Sequence, residues 1–357
     1  MKAVAVAAEL ADALALVGRA CGAGVLSMVR LDLGPGAFEL CATDLSLTLS
    51  ARGKAEVVEP GRVLLPSPRT LADALRSLGS DPLEIEAEGK SVRLCCGRWR
   101  SELSTVPVEE FPLLDLEVPA RGPVPASAVG EALQRVTPAA SSDPARPVLC
   151  GVLLESVEGG TRMVATDSYR LAVTEVDVPP PAERALVPAR AMAEIARLCD
   201  RGDGMAWTWD GSKLVASAGP ATVAVTGIAG EFPDYRRFLE VPEGGCRASV
   251  DGEALSRAVR RVALVSQSSR FGRVVRCEFA ADRVVVEASG DDGHARESVP
   301  VDGDAEMTVA FNAQFVLDAL AAVGPGMVDL VLVDADKPAV FCPGGPTTVV
   351  LMPVRLA

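Results

Sequence analysis

Three stretches of the chain share an apolar pattern with helical spacing: ADALALVGRA from Ala11, ASAVGEALQRV from Ala126 and GEALSRAVRRVAL from Gly252. In each, apolar residues recur at i, i+3 and i+4 with charges opposite, which predicts an amphipathic helix lying on a sheet. Leu14, Leu133 and Leu255 mark equivalent places. Further along, RVLLPSPRTLADALRSL, ERALVPARAMAEIARL and MTVAFNAQFVLDAL each read as a β-rich run, a turn and a second helix. Pro66, Pro188 and Asn312 sit at these junctions; proline suits a helix start and asparagine is a good N-cap. Residues 38–50, 162–176 and 283–299 alternate apolar and polar positions on both sides of a short polar break, predicting hairpins. Finally EFPLLD, EFPDYRRFL and VVLMPVRL carry Pro112, Pro233 and Pro353 at matching places.

Four independent features share one period of about 120 residues, the mark of a duplicated unit. The fold class expected is α+β: three tandem copies, each with two helices on one face of antiparallel sheets and about eight short strands. The boundaries fall at 1–118, 119–243 and 244–357, with linkers near 117–125 (EVPARGPVP) and 241–247 (VPEGGCR).

Composition narrows the chemistry. Of 357 residues 49% are hydrophobic but only 4% aromatic, so the core must be packed from Ala, Val and Leu. A net charge of −13 excludes a protein held on nucleic acid or anionic lipid by bulk charge alone. The nine cysteines are scattered with no CxxC, and His294 is the only histidine, so no zinc ligand set is present and free thiols in a reducing cytoplasm are expected. Glu9 follows the N-terminus too soon for a signal peptide, and the longest uncharged stretch, Leu214 to Gly230, is too short and too polar to span a membrane. A soluble cytoplasmic protein without cofactor, metal or membrane partner is expected.

In order and spacing, ATDSYRLAV (165–173), RPVLCGVLLE (146–155), EFPDYRR (231–237), FNAQFVLDAL (311–320) and LMPVRL (351–356) resemble the bacterial DNA polymerase III beta subunit, the replicative sliding clamp family. The resemblance covers the whole length. It implies a head-to-tail homodimer closed as a ring of six clamp domains, with helices lining a hole through which duplex DNA passes. Such a heterologous interface closes after two copies. The family is a processivity factor and not an enzyme. Its implied partners are double-stranded DNA without sequence preference, the DNA polymerase III alpha subunit, the clamp loader and other proteins carrying a Gln-Leu-x-Leu-Phe type peptide. A threaded ring needs only a mild positive potential toward the hole, since strong phosphate contacts would stop sliding. The candidate DNA-facing residues are Arg19, Arg69, Arg76, Arg135, Arg146, Arg190, Arg197, Arg257, Arg260 and Arg261.

The same resemblance implies a pocket for partner peptides between the second and third domains. From the second repeat it would take Leu149, Thr166, Ser168, Tyr169, Arg170, Leu171, Pro233, Arg237 and Phe238. From the third it would take Pro338, Val350, Leu351, Met352, Pro353, Val354, Arg355 and Leu356. Leu, Val, Met and Pro supply dry walls, and Arg170, Arg237 and Arg355 are offered to peptide carbonyls or an acidic residue. Read without the resemblance, these apolar residues are ordinary core. Ser168 and Tyr169 stand where the commonest family pattern has Gly-His. At the expected ring seam the first domain has Leu103, with Ser101 where an aromatic is often found, facing Leu264 and Val265 of the third. The first domain also lacks the family's Arg-Pro and Leu-Pro turn after its first helix, where CGAGVLSMVRLDL (21–33) stands.

Two other functions compete. Asp44, Asp167, Asp291 and Asp292 on the recurrent hairpins suggest a carboxylate-dependent hydrolase, against which they read as turn residues capping their own backbone. Alternatively the chain is an additional clamp copy with a specialised role, such as resistance to a clamp-binding inhibitor, or a scaffold that does not thread DNA.

Overall fold

A computed structural model describes residues 1–112, 116, 122–240, 244–269, 272–291 and 293–355. Each repeat contributes two helices: α1 (Ala7–Val17) and α2 (Pro68–Arg76), then α3 (Ala126–Val136) and α4 (Ala189–Cys199), then α5 (Gly252–Val262) and α6 (Ala313–Val323). The helix α1 begins earlier than the Ala11 suggested by its pattern. The reason is tertiary: the amides of Ala7 and Ala8 donate to the carbonyls of Asp81 and Gly79, satisfying N–H groups a helix start leaves unpaired. At the other junctions the expected chemistry appears. Asn312 Oδ1 accepts from the amides of Gln314 and Phe315 at the start of α6. Ser67, at φ 51°, turns the chain into α2, whose first residue is Pro68.

Strands of the first repeat are β1 (Lys2–Val6), β2 (Val29–Gly34), β3 (Ala37–Thr43), β4 (Leu47–Glu59), β5 (Gly61–Leu65), β6 (Pro82–Glu88), β7 (Ser91–Cys96) and β8 (Trp99–Ser104). The second has β9 (Val124–Pro125), β10 (Gly151–Val157), β11 (Gly160–Thr166), β12 (Arg170–Val176), β13 (Arg184–Pro188), β14 (Gly204–Trp209), β15 (Lys213–Ala218) and β16 (Ala221–Thr226). The third has β17 (Cys246–Asp251), β18 (Ser268–Ser269), β19 (Gly272–Ala280), β20 (Arg283–Gly290), β21 (Gly293–Gly303) and β22 (Met307–Asn312). It ends with β23 (Met327–Leu332), β24 (Ala339–Phe341) and β25 (Thr347–Leu351).

By contact the chain divides into two compact units, Met1–Ser127 with Arg197–Gly227 and Ala128–Ala196 with Ile228–Ala357. The division follows the sheets and cuts the second repeat in two. In the first unit the sheet runs β8-β7-β6-β1-β4-β16-β15-β14-β9, with β3, β2 and β5 attached beside β4. Its thirteen-residue β4 pairs along Leu47–Ala51 with β16 and along Ala55–Glu59 with β1. The helices α1 and α2 pack against each other, and Leu10, Leu14 and Leu75 are fully buried with Leu31, Leu40 and Leu49. In the second unit the sheet runs β13-β10-β11-β12-β25-β24-β23-β17-β21-β20-β19-β18, with β22 beside β19. There α5 packs on α6, and α6 on β25.

One junction is made twice. A strand of one repeat pairs antiparallel with a strand of the next: β4 with β16 in the first unit, β12 with β25 in the second. Beyond the paired strands the amide of Thr226 donates to the Ser46 carbonyl at 3.0 Å, and the amide of Met352 to the Tyr169 carbonyl at 2.8 Å. The repeat boundaries at 118/119 and 243/244 lie outside the described residues.

Candidate functional site

Side chains alternate between the faces of a strand, so the register decides which residues share a surface. Across the second unit, Thr166 of β11 lies opposite Leu171 of β12, Leu171 opposite Val350 of β25, Val350 opposite Val340 of β24, and Val340 opposite Val331 of β23. This apolar row continues into a buried cluster with Leu153, Val164, Val173 and Leu186.

The segment that re-enters the second unit at Ile228, whose amide donates to the Leu186 carbonyl of β13 at 2.8 Å, is not itself a strand and lies over this row. Phe232 and Tyr235 are its buried anchors, meeting edge to face with ring centroids 6.4 Å apart. The Tyr235 hydroxyl donates to Glu155 Oε2 at 2.6 Å, and the same carboxylate receives Arg236 Nη2 at 3.1 and 3.2 Å. Burial, and after it the neighbouring Glu155 carboxylate, push the Tyr235 phenol above its ordinary range.

A cavity of about 370 Å³ remains between this segment, the sheet and the β11–β12 turn. Leu149, Leu171 and Val350 line it from beside and within the sheet, Pro233, Arg237 and Phe238 from the overlying segment, Thr166, Ser168 and Tyr169 from the turn, and Met352 from just beyond β25. Tyr169, Phe238 and Met352 are 53%, 40% and 39% exposed, three large apolar side chains around one opening. Arg237 stacks its guanidinium 4.7 Å over the Phe238 ring and has no carboxylate partner among the described residues.

The β11–β12 turn is self-supporting. Asp167 Oδ1 accepts the amides of Tyr169 and Arg170 at 2.9 and 3.0 Å, and Thr166 Oγ1 donates to the Arg170 carbonyl. Ser168 adopts φ 79°, a left-handed conformation that such turns require. The first repeat builds the same turn: Asp44 Oδ1 accepts the amides of Ser46 and Leu47, and Leu45 sits at φ 78°. These two carboxylates are therefore turn caps, as the sequence alternative to a hydrolase had them. Among the described residues no cluster of His, Cys, Asp and Glu could hold a metal ion.

Several residues that the resemblance implies for the pocket stand elsewhere. Leu351 is 1% exposed and, by alternation with Val350 and Met352, faces away from the cavity. Pro338, Pro353 and Val354 are half-buried outside the lining, and the Val354 amide is tied to the Ala310 carbonyl at 2.8 Å, which draws the terminal segment toward β22. Arg355 is exposed beside Asp336, at 3.3 Å, and Leu356 lies outside the described residues. Arg170 touches the cavity, but its Nε donates to Asp167 Oδ2 at 3.0 Å and its Nη1 to Asp318 Oδ2, so those donors are not free for a peptide. Asp234 and Tyr235 line the cavity as well; their signal in the sequence is the aromatic set between the proline and the arginines of EFPDYRR.

Three family models match in succession: the DNA polymerase III beta subunit N-terminal domain over residues 2–115, its central domain over 123–234 and its C-terminal domain over 243–355. The chain belongs to the DNA polymerase III beta subunit family. It is 32% identical to the beta sliding clamp of Streptomyces coelicolor, across 98% of this chain and 97% of that one. It is 29% identical to the beta sliding clamp homolog GriR of Streptomyces muensis, across 83% and 80%. The Pseudomonas aeruginosa sliding clamp bound to griselimycin superposes with a TM-score of 0.88 at 28% identity, over the full length of both chains.

The arginines expected to face DNA in such a clamp are placed on or beside the helices. Arg19, Arg69, Arg190 and Arg197 are exposed. Others are partly neutralised: Arg76 by Asp73 at 3.1 Å, Arg135 by Glu131 at 3.6 Å, Arg257 by Glu253 at 3.6 Å and Arg261 by Glu297. The Arg261 guanidinium holds the Glu297 carboxyl below its usual range. Arg260 is exposed and bonds only Ser256 Oγ, at 3.4 Å, among the described residues. Arg146 is different. Its Nη1 reaches Ser168 Oγ at 3.3 Å and its Nε reaches Asp143 at 3.3 Å, so it stands at the rim of the cavity and not on a helix. At the expected seam, Leu103 lies on β8, the edge strand of its sheet, and is half-buried; Leu264 is 71% exposed and Val265 half-buried. Among the described residues no helix is long and apolar enough to cross a membrane.

Proposed function

We propose that two copies of this chain join head to tail into a ring around duplex DNA, and that the ring offers its second-unit cavity to short peptides of partner proteins. Family membership over the full length supports the clamp role. The observation that carries the peptide site is the 370 Å³ cavity with Tyr169, Phe238 and Met352 exposed around it; contiguous large apolar side chains on a soluble surface mark a binding site more often than chance exposure. An extended peptide with two or three apolar anchors fits a groove of this size and lining. The site residues proposed are Leu149, Thr166, Ser168, Tyr169, Leu171, Pro233, Tyr235, Arg237, Phe238, Val350 and Met352, with Arg146 at the rim.

The partners proposed are the polymerase III alpha subunit, the clamp loader and other proteins with a Gln-Leu-x-Leu-Phe type segment, in the cytoplasm. Domain limits of 1–118, 119–243 and 244–357 are proposed with them. The overall charge of −13 suits a threaded ring, which slides because it does not grip. An additional, inhibitor-insensitive copy is the second reading, favoured by Ser168-Tyr169 and by the similarity to GriR. The greater identity to the S. coelicolor clamp, over more of the chain, supports the ordinary replicative role.

Two measurements test the proposal. After loading on nicked circular DNA the protein is retained through gel filtration and released when the DNA is linearised; equal loss from both forms refutes the ring. A fluorescent Gln-Leu-Ser-Leu-Phe peptide binds the wild type, and Met352→Ala weakens it about fivefold, the loss of about 1 kcal/mol of apolar contact.

A further inference from the structure

The turn that carries Tyr169 is tied to a helix residue that does not line the cavity. Arg170 is held between Asp167 Oδ2 and Asp318 Oδ2, with its guanidinium carbon 4.2 Å over the Phe315 ring. Its side chain and that of Asp167 are each 12% exposed, and that of Asp318 is 24% exposed. Asp318 is itself oriented by Gln314 Nε2, which donates to its Oδ1 at 2.7 Å. Phe315, Gln314 and Asp318 all belong to α6, a third-repeat helix, whereas Arg170 and Asp167 belong to the second-repeat turn. The remaining Asp167 oxygen caps the amide of Tyr169, and the Tyr169 carbonyl accepts the Met352 amide. A continuous line of hydrogen bonds thus runs from α6 to two of the three exposed apolar residues of the rim.

The first repeat supplies the control. Its turn has the same aspartate cap and the same left-handed residue, but Leu47 stands where Arg170 does. The backbone turn therefore forms without an arginine and without a helix carboxylate. What the Arg170–Asp318 pair adds is a tie between this turn and α6.

We propose that Asp318 is a positioning residue for the peptide cavity, acting through Arg170 and Asp167 to aim Tyr169 at its opening. This rests on the peptide reading above. Because half-buried charges are involved, loss of one partner leaves the other uncompensated.

The test uses the full-length protein with Asp318→Asn, Asp318→Glu, Arg170→Met and the Asp318→Asn/Arg170→Met double variant, and the fluorescent Gln-Leu-Ser-Leu-Phe peptide. Asp318→Asn, nearly isosteric, weakens the peptide about tenfold. Asp318→Glu recovers most of that loss, and Asp318→Asn has no further effect once Arg170→Met is present. Binding by Asp318→Asn within about twofold of wild type overturns the proposal, as does an Asp318→Glu variant no better than Asp318→Asn. A second readout needs no peptide. The chain has only two tyrosines, so the Tyr169 ring resonances are separable by NMR, and they shift in Asp318→Asn while those of Tyr235 do not. If the wild type fails to bind peptide, the peptide reading falls, and unmoved Tyr169 resonances overturn the positioning role independently.

Discussion

Removing one oxygen atom tests how the cavity wall is held. Tyr235 is 3% exposed and its hydroxyl donates at 2.6 Å to Glu155, a carboxylate itself 7% exposed. Tyr235→Phe keeps the ring, its edge contact with Phe232 and its place in the apolar cluster, so no cavity is created. It deletes the hydroxyl's hydrogen bond to a buried charge, a class worth about 1.5–3 kcal/mol, together with its contact to Arg162. Arg236 and Arg184 remain on the carboxylate, but their side chains are 59% and 48% exposed and compensate weakly, so the expected cost is about 2 kcal/mol. Urea unfolding at pH 7 measures it.

The pH dependence separates this hydrogen bond from any general loosening. The phenol donates only when protonated, and in the folded chain its pKa lies above the ordinary 10.0 because the site is buried and faces Glu155. A raised acid contributes stability that is complete below the unfolded value and is lost as pH rises through the folded one. The gap between wild type and Tyr235→Phe is therefore constant from pH 7 to about 9 and closes above about pH 10. Every other titrating group is common to both proteins and cancels. A loss below about 0.5 kcal/mol at pH 7, or a gap unchanged at pH 11, would show that the hydroxyl does not anchor the wall.

Three further outcomes follow from the packing. An ideal Cβ on Gly53 would lie 2.2 Å from Cζ of Phe38, which is 1% exposed, so Gly53→Ala should destabilise by about 1–3 kcal/mol in thermal denaturation, whereas an unchanged Tm would mean the ring swings aside freely. Leu264→Asp, at a residue 71% exposed on the expected seam, should lower the solution mass by light scattering from two chains toward one with no loss of Tm; an unchanged mass places the seam elsewhere. Burial raises the Cys21 thiol to about 11 and those of Cys41 and Cys277 to about 12, so these three should resist a thiol-specific disulfide reagent at pH 8 until the protein unfolds, as peptide mapping of labelled cysteines would show.

The sequence alone determined the threefold repeat, the six helices and the hairpins between them, because helical and alternating periodicities are local properties that survive any tertiary arrangement. The apolar runs that hold Leu171 and Val350 are visible in the chain as well, but by themselves they read as core, and it was the family resemblance that pointed to a pocket there. Local pattern could not tell Leu351 from its neighbours: a fully buried strand is apolar on both faces, and only the pairing of β25 with β12 sends Val350 to the cavity and Leu351 away from it. The charged residues depended on tertiary structure most. Whether an arginine meets peptide, phosphate or carboxylate depends on what a different part of the chain brings within 4 Å of it. Arg170 was claimed by Asp318, 148 positions away, and Arg146 was drawn to Ser168 beside the cavity. The tie between Tyr235 and Glu155, 80 positions apart, was likewise fixed by the folding of one segment over the sheet.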